Sequence, residues 1–165
     1  MDKLVTSNII ASGDVTTLVN NKLAILVARG NPAKIASLAD LTKSGLKVVL
    51  CDVSQPCGKY AATVLGNAKV TLAPASREAS ASAVVSRVAT GEADAGIAYI
   101  TDGLVAGDKV DPVTIPESLN VVATYPIASL KAPSSRDTSA IAAFLAMARG
   151  AVGDSIFSKS GFIVP

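Results

Sequence analysis

The sequence has 165 residues, of which 50% are hydrophobic and 4% aromatic, and its formal net charge is +2. This composition is typical of an α/β fold with one good core or two small ones, and it excludes disordered and fibrous chains. The chain has no basic stripe and no apolar run of about 20 residues, so neither nucleic-acid binding nor a membrane span is predicted. Histidine is absent, which removes the commonest general base and metal ligand. We therefore expect neither an enzyme nor a directly ligated metal.

The first quarter of the chain predicts few regular elements. Residues 1–5 look like the end of a helix, and residues 7–20 look like a loop-rich approach to a buried strand at 22–27. A turn at 30–32 follows. Residues 37–44 then predict a helix that ends before a glycine.

The stretch Leu46–Ala61, LKVVLCDVSQPCGKYA, predicts a buried strand, a short loop and a helix start in immediate succession. Its serine and proline form a helix-start signature, because the missing N–H of proline costs nothing in the first turn. The next free amides, on Cys57 and Gly58, would point out of the helix end. Backed by the helix dipole, such amides form an anion site that needs no charged side chain.

The only two cysteines, Cys51 and Cys57, flank this loop with a spacing that differs from redox and zinc motifs. A strand end and a helix start can be joined by a disulfide if their Cα atoms lie within about 7 Å. Two unpaired thiols are the alternative. A disulfide would indicate an oxidising compartment.

Strands and helices alternate from about residue 46 to residue 104, which predicts a doubly wound parallel sheet. The helix begun at the central loop continues through 59–65, and a brief strand follows at 70–72. Another strand at 93–100 carries Tyr99 near its carboxyl end, where open α/β sheets bind their ligands.

A third helix is predicted to begin at Ser80, a good capping residue, so the amides of Ala81 and Ser82 are free at its start. These amides are a second candidate for binding an anion.

The last third of the chain predicts a turn region at 111–116, an extended run at 121–128 with a proline inside it, helices at 137–149 and 151–159, and a final short segment at 162–164. The first of these helices is apolar on most sides. Such a helix needs a sheet to pack against, and the neighbouring sequence predicts few strands.

Several stretches occur together, in order and at compatible spacing: MDKLV, LAILVARGNP, SLADL, the D-x-S-x-P-x-G-x-Y-A pattern at 52–61, TGEADAGIAYITD, YPIASLK and the terminal SGF. On these motifs the chain resembles, from Met1 to Pro165, the solute-binding component of bacterial molybdate importers of the ABC type. The resemblance implies a periplasmic-binding-protein-like fold of type II. In that fold two lobes with doubly wound sheets, joined by crossover strands, close on a tetrahedral oxyanion like a Venus flytrap.

The resemblance also implies the domain boundaries. Residues 30–113 would form a complete second lobe, residues 1–27 and 122–165 a remnant of the first lobe, and residues 22–30 and 120–128 the approximate crossover or hinge strands. Two serine-bearing loops of the first lobe would precede the first residue. We therefore expect a truncated chain that either forms a homodimer or binds its anion weakly.

Carried over residue by residue, the family's second-lobe donors fall on the amides of Cys57 and Ala81 and on the hydroxyl of Tyr99, with Gly58 and Ser82 beside them. The family usually has alanine at the first of these positions and valine at the second, and both changes leave the amide intact. The implied ligand is molybdate, with tungstate accepted, and no cofactor is implied.

The resemblance implies a membrane permease as partner and a periplasmic or extracytoplasmic location, with a lipid anchor on a longer precursor. The first residues lack the regions of a signal peptide. Alternatives are a binder of another tetrahedral oxyanion such as sulfate, a ligand-sensing domain of a transcription regulator, and an enzyme. A regulator should carry a helix-turn-helix, and an enzyme a nucleophile with its base or a G-x-G-x-x-G loop; the sequence has neither signature.

Overall fold

The computed structural model describes residues 1–130 and 138–165. It contains two compact units, residues 1–21 with 124–165 and residues 22–123. The predicted lobe boundaries near residues 30 and 113 stay a prediction. In chain order, the elements are α1 (Asp2–Thr6), β1 (Thr16–Ala28), β2 (Val48–Cys51), α2 (Pro56–Asn67), β3 (Ser76–Glu78), α3 (Ala81–Ala89), β4 (Ala95–Tyr99), α4 (Ile100–Ala106), β5 (Val110–Thr114), β6 (Val122–Ile127), α5 (Thr138–Ala148) and α6 (Ala151–Lys159).

The unit of residues 22–123 is built on a mixed sheet with the strand order β3-β2-β4-β1-β5. β2 is parallel to β3 and to β4, whereas β1 is antiparallel to both β4 and β5. The predicted α/β class is confirmed. The strands within residues 46–104 are parallel as predicted, and the antiparallel strands β1 and β5 lie outside that range. Two parallel strands need a crossover connection between them, and α2 and α3 supply the crossovers for β2, β3 and β4. No helix provides a crossover from β1, and β1 runs antiparallel to its neighbours.

Side chains alternate between the two faces of this sheet. On β1, Leu23 and Ile25 pack in one apolar cluster with Val64 of α2. Leu26 packs in a second cluster with Val84 of α3. Removing each such side chain from water contributes about 1.5–3 kcal/mol. Because α2 covers one face and α3 the other, both helix starts depend on the same central strands.

The helix predicted at 37–44 is wrong, since only a single 3₁₀ turn forms at Ala39–Thr42. The carboxylate of Asp40 accepts hydrogen bonds from the amides of Ala36 and Ser37, each at 2.9 Å. These local bonds stabilise a turn instead of a continuing helix.

The brief strand predicted at 70–72 is also wrong, because β3 forms at Ser76–Glu78. The amide of Val70 donates to the carbonyl of Leu65 at 2.9 Å, so this segment completes the end of α2. The chain reaches the edge of β2 only several residues later.

Two further differences concern strands. β1 begins at Thr16, inside the segment expected to be loop-rich. The predicted turn at 111–116 is largely β5, which contains Pro112. β5 is the last strand in the order, and an edge strand tolerates a residue that lacks an N–H.

In the unit of residues 1–21 and 124–165, the helices α5 and α6 match the predicted pair, although Asp137, the first residue of the predicted helix, lies outside the described residues. Only Ala148 of α5 is buried, and Phe144 and Met147 are 57% and 53% exposed. Within the described ranges no single helix is long and apolar enough to cross a membrane. Taken together, α5 and α6 have the required length and composition, but they are bent by 51° relative to each other.

We predict that Gly96→Ala lowers the free energy of unfolding by about 1–3 kcal/mol. A Cβ atom on this β4 residue would lie 2.4 Å from Cγ1 of Val84, so α3 would have to move away from the sheet. Urea unfolding followed by circular dichroism measures the change.

The matched control is Gly66→Ala in α2, where an added Cβ meets nothing within 4 Å. This change should raise the free energy of unfolding by about 0.5–1 kcal/mol, because alanine restricts the unfolded chain. Equal stability of the two variants would contradict the close contact between β4 and α3.

Candidate functional site

The candidate site lies at one edge of the mixed sheet, where three parallel strands end. Cys51 of β2 pairs with Glu78 of β3, and Val49 of β2 pairs with Gly96 of β4. Continuing this register places Cys51, the last residue of β2, level with Ala98, one residue before β4 ends at Tyr99. The chain segments that leave β2, β3 and β4 therefore emerge at the same edge of the sheet, and α2 and α3 begin there.

The start of α2 has free amide donors. Pro56 occupies the first helical position, and Gln55 precedes it in an extended conformation without a side-chain cap. Cys57 and Gly58 are buried, and their amides donate to no acceptor in residues 1–130 or 138–165. A buried amide without a partner costs about as much as a lost hydrogen bond. These two amides, in the first turn of α2, are therefore available to water or to a ligand.

The serine of the predicted helix-start signature has a different role from capping. The hydroxyl of Ser54 donates to Oδ1 of Asp52 at 2.6 Å, and its amide donates to the same oxygen at 2.8 Å. The hydroxyl and then the amide of Ser54 hold the pKa of Asp52 below its ordinary value. Because Ser54 is engaged with Asp52, its side chain does not cap the start of α2.

The start of α3 is capped as the sequence predicted. Ser80 precedes the helix, and its side chain accepts a hydrogen bond from the amide of Ala83 at 3.1 Å. Among the described residues, the amides of Ala81 and Ser82 have no acceptor, as is usual in a first helical turn. α3 therefore offers two further donors at the same edge.

Tyr99 ends β4 and is half-buried. Its ring packs edge-on against Tyr60 of α2, with centroids 6.4 Å apart. Its amide donates to Oδ2 of Asp102 at 3.2 Å. The sequence predicted Tyr99 but missed both neighbours. Tyr60 lies on a different helix, which local spacing does not reveal. Asp102 is the third residue of α4, and an acidic residue three positions after a helix start is a local signal that could have been found.

The structure joins Cys51 and Cys57 by a disulfide, with Cα atoms 5.8 Å apart. Cys57 belongs to the apolar cluster on the α3 face of the sheet, and Ala81 and Tyr99 pack against that cluster. The structure therefore brings the three principal predicted donor residues to one part of the molecule.

A groove of about 460 Å³ lies beside this edge, between α3 and α4, and it was not predicted from the sequence. Ser82, Val85, Asp102 and Val105 are among its lining residues. Burial raises the pKa of Asp102, an effect that the hydrogen bond from the Tyr99 amide opposes. The lining also includes the hydroxyl groups of Ser86 and Thr90 and the side chain of Lys109.

The donor groups at the sheet edge are neutral. Within residues 1–130 and 138–165 no group of three histidine, cysteine, aspartate or glutamate side chains is placed to hold a metal ion. Amides at helix starts instead bind anions, because their N–H groups and the helix dipole both favour negative charge.

A family model described as "Bacterial extracellular solute-binding protein" matches residues 1–163. The chain belongs to this family. Members of an extracellular solute-binding family have a periplasmic or extracytoplasmic location, which agrees with a disulfide in the structure.

Curated relatives of this solute-binding protein include the "Molybdate-binding protein ModA" of Mycobacterium tuberculosis and of Mycobacterium bovis. Each is 40% identical over 165 residues, which is 100% of this chain and 62% of the relative. The chain therefore spans about three fifths of the length of these relatives.

Solved structures of similar fold include the substrate binding domain of a molybdenum ABC transporter from Clostridium difficile, with a TM-score of 0.81 and 26% identity over 100% of this chain and 72% of that chain. The periplasmic molybdate-binding protein of Azotobacter vinelandii has a TM-score of 0.66 and 15% identity over 99% of this chain and 74% of its own. The predicted periplasmic-binding-protein-like fold and the family resemblance are confirmed.

We predict that Ser54→Ala raises the pKa of Asp52 toward its ordinary value, because the hydroxyl that stabilises the carboxylate is lost. A lowered pKa in the folded state contributes stability above the unfolded pKa of about 4, and this stability is lost as the pH falls through the folded pKa. The variant should therefore lose less stability on acidification. Carbon-detected NMR titration of the carboxyl group measures the pKa.

Ser86→Ala is the control, since this exposed serine of α3 makes no hydrogen bond with Asp52. An Asp52 pKa that is the same in both variants would contradict the role given to Ser54.

Proposed function

We propose that this protein binds molybdate, and accepts tungstate, for delivery to the membrane permease of an ABC-type importer. The anion is held by the amides of Cys57, Gly58, Ala81 and Ser82 and by the hydroxyl of Tyr99. The protein acts as a receptor and does not transform its ligand. The names of its curated relatives and its family membership support this proposal.

The strongest support for the proposal is the pair of amides at the start of α2. The amides of Cys57 and Gly58 belong to buried residues and have no acceptor among the described residues. Amides in the first turn of a helix have no intrahelical acceptor, and at a buried helix start a bound anion can supply one. The neighbouring start of α3 lies at the same sheet edge and supplies donors for further oxygens of one anion.

Hydrogen bonds alone are sufficient to bind a dianion. Each bond from a neutral donor to a charged acceptor contributes about 1.5–3 kcal/mol. Four or five such bonds compensate for much of the hydration that the anion loses. The donors carry no formal charge, so the affinity should depend weakly on ionic strength compared with a site built from lysine or arginine.

Discrimination among tetrahedral anions follows from the rigidity of the donors. Amides in the first turns of α2 and α3 are held by the sheet beneath them, so they reorganise little on binding. A donor shell of fixed size suits the longer bonds of molybdate and tungstate, and the smaller sulfate cannot reach all the donors at once. Sulfate is the rival ligand that any test has to include.

We predict that calorimetry detects molybdate and tungstate binding with similar affinities, and sulfate binding that is at least tenfold weaker. In Tyr99→Phe, molybdate binding should weaken by about 1–3 kcal/mol, because one donor to a charged oxygen is lost while the ring is kept.

Tyr60→Phe is the matched control, since it removes a phenol hydroxyl from the other member of the same ring pair. Its affinity should equal that of the unaltered protein. An unchanged affinity in Tyr99→Phe would remove Tyr99 from the site, and binding of none of the three anions would refute the proposed function.

We also propose that the chain forms a homodimer through the exposed apolar side chains of α5. Phe144 and Met147 lie in the exposed part of this helix, and large exposed apolar surfaces mark sites of association. We expect a sedimentation coefficient that rises with protein concentration. Replacing both residues by glutamine should shift the protein toward the monomer.

The matched control replaces two exposed apolar residues of α4, Leu104 and Val105, by glutamine. This variant should associate as the unaltered chain does. A monodisperse monomer at all concentrations would contradict the proposed contact.

A further inference from the structure

The loop between β2 and α2 is closed covalently. The disulfide joins Cys51, the last residue of β2, to Cys57 in the first turn of α2, and the two residues are 0% and 4% exposed. Attack on a disulfide requires access of a thiolate to a sulfur atom. A bond buried to this extent is a permanent structural link and is poorly suited to a redox signal.

The backbone packs tightly around the same loop. A Cβ atom on Gly58 would lie 2.0 Å from the carbonyl oxygen of Asp52, so only glycine allows α2 to start this close to the end of β2. That carbonyl also accepts a hydrogen bond from the amide of Gln55 at 2.9 Å. The disulfide and this close contact both fix where the first turn of α2 lies on the sheet.

The end of β2 is in turn attached to β3. The amide of Asp52 donates to the carbonyl of Glu78 at 2.8 Å. Glu78 ends β3, and α3 begins at Ala81. A continuous path of covalent and hydrogen bonds therefore connects the Cys57 amide with the start of α3, which carries the second pair of donors.

We infer that the Cys51–Cys57 disulfide is a positioning element for oxyanion binding, which holds the Cys57 amide at a fixed distance from the donors of α3. This inference rests on the proposed function and deepens it. A donor pair held at a fixed separation loses little freedom on binding and fits one anion size better than another. Without the disulfide, the first turn of α2 moves more freely, and both affinity and size discrimination decrease.

The test compares the protein with the double variant Cys51→Ala, Cys57→Ala, which removes the disulfide and keeps the amide at position 57. Both forms also carry Gly66→Ala, so that added helix stability keeps the double variant folded. Calorimetry measures the dissociation constants of molybdate and sulfate for each form. We expect molybdate to bind about tenfold more weakly without the disulfide, and the ratio of the sulfate to the molybdate constant to fall.

A general loss of stability is distinguished by a second variant, Leu41→Ala, made in the same Gly66→Ala background. Leu41 is buried in the apolar cluster on the α2 face, in the 3₁₀ turn away from the donor edge. This variant is destabilised by a cavity but retains the disulfide, so its ratio of the two constants should stay unchanged.

The outcomes separate the two proposals. If the disulfide-free form keeps both the molybdate affinity and the ratio, the positioning role is overturned while the proposed function stands. The positioning role is also overturned if Leu41→Ala lowers the ratio of the sulfate to the molybdate constant as much as loss of the disulfide does. If the disulfide-bonded protein binds no oxyanion, the proposed function itself is overturned, and the positioning role with it.

Discussion

The parallel pairing of β2 with β3 and with β4 is the constraint on which the site depends. Parallel strands all point their carboxyl ends to one edge, so the segments that follow them are brought together there. The starts of α2 and α3 and the side chain of Tyr99 share an edge for this reason alone. The antiparallel strands β1 and β5 complete the sheet and bury its centre.

The candidate donors are neutral amides, and their lack of an acceptor affects the stability of the protein without its ligand. The buried amides of Cys57 and Gly58 have no acceptor among the described residues, so folding leaves hydrogen-bonding capacity unused there. Such groups reduce stability unless a ligand or water accepts from them. The disulfide at the same loop offsets this cost by restricting the unfolded chain. Amides without an acceptor in the first turn of α2 therefore reduce stability, although the proposed binding of an anion requires them.

Predictions from the sequence succeeded where the signal is local and failed where partners are distant. The start of α3 after Ser80 follows from a cap whose bond spans three residues. The predicted strand at 70–72 failed because an apolar, β-branched run cannot reveal which strand edge is free; β3 forms later, where the chain reaches β2. The prediction of a turn at Pro112 is wrong because the edge position that tolerates proline depends on the order of the strands.

The sequence by itself determined the α/β class, the free amides at two helix starts and the aromatic residue at a strand end, since capping, proline placement and periodicity act within a few residues. Only the tertiary structure decided that Cys57, Ala81 and Tyr99 pack about one apolar cluster, and that Gly58 approaches the carbonyl of Asp52. It also decided that β1 runs antiparallel to its neighbours. These features depend on which strands pair, and strand pairing joins residues far apart in the chain whose choice of partner no local pattern encodes.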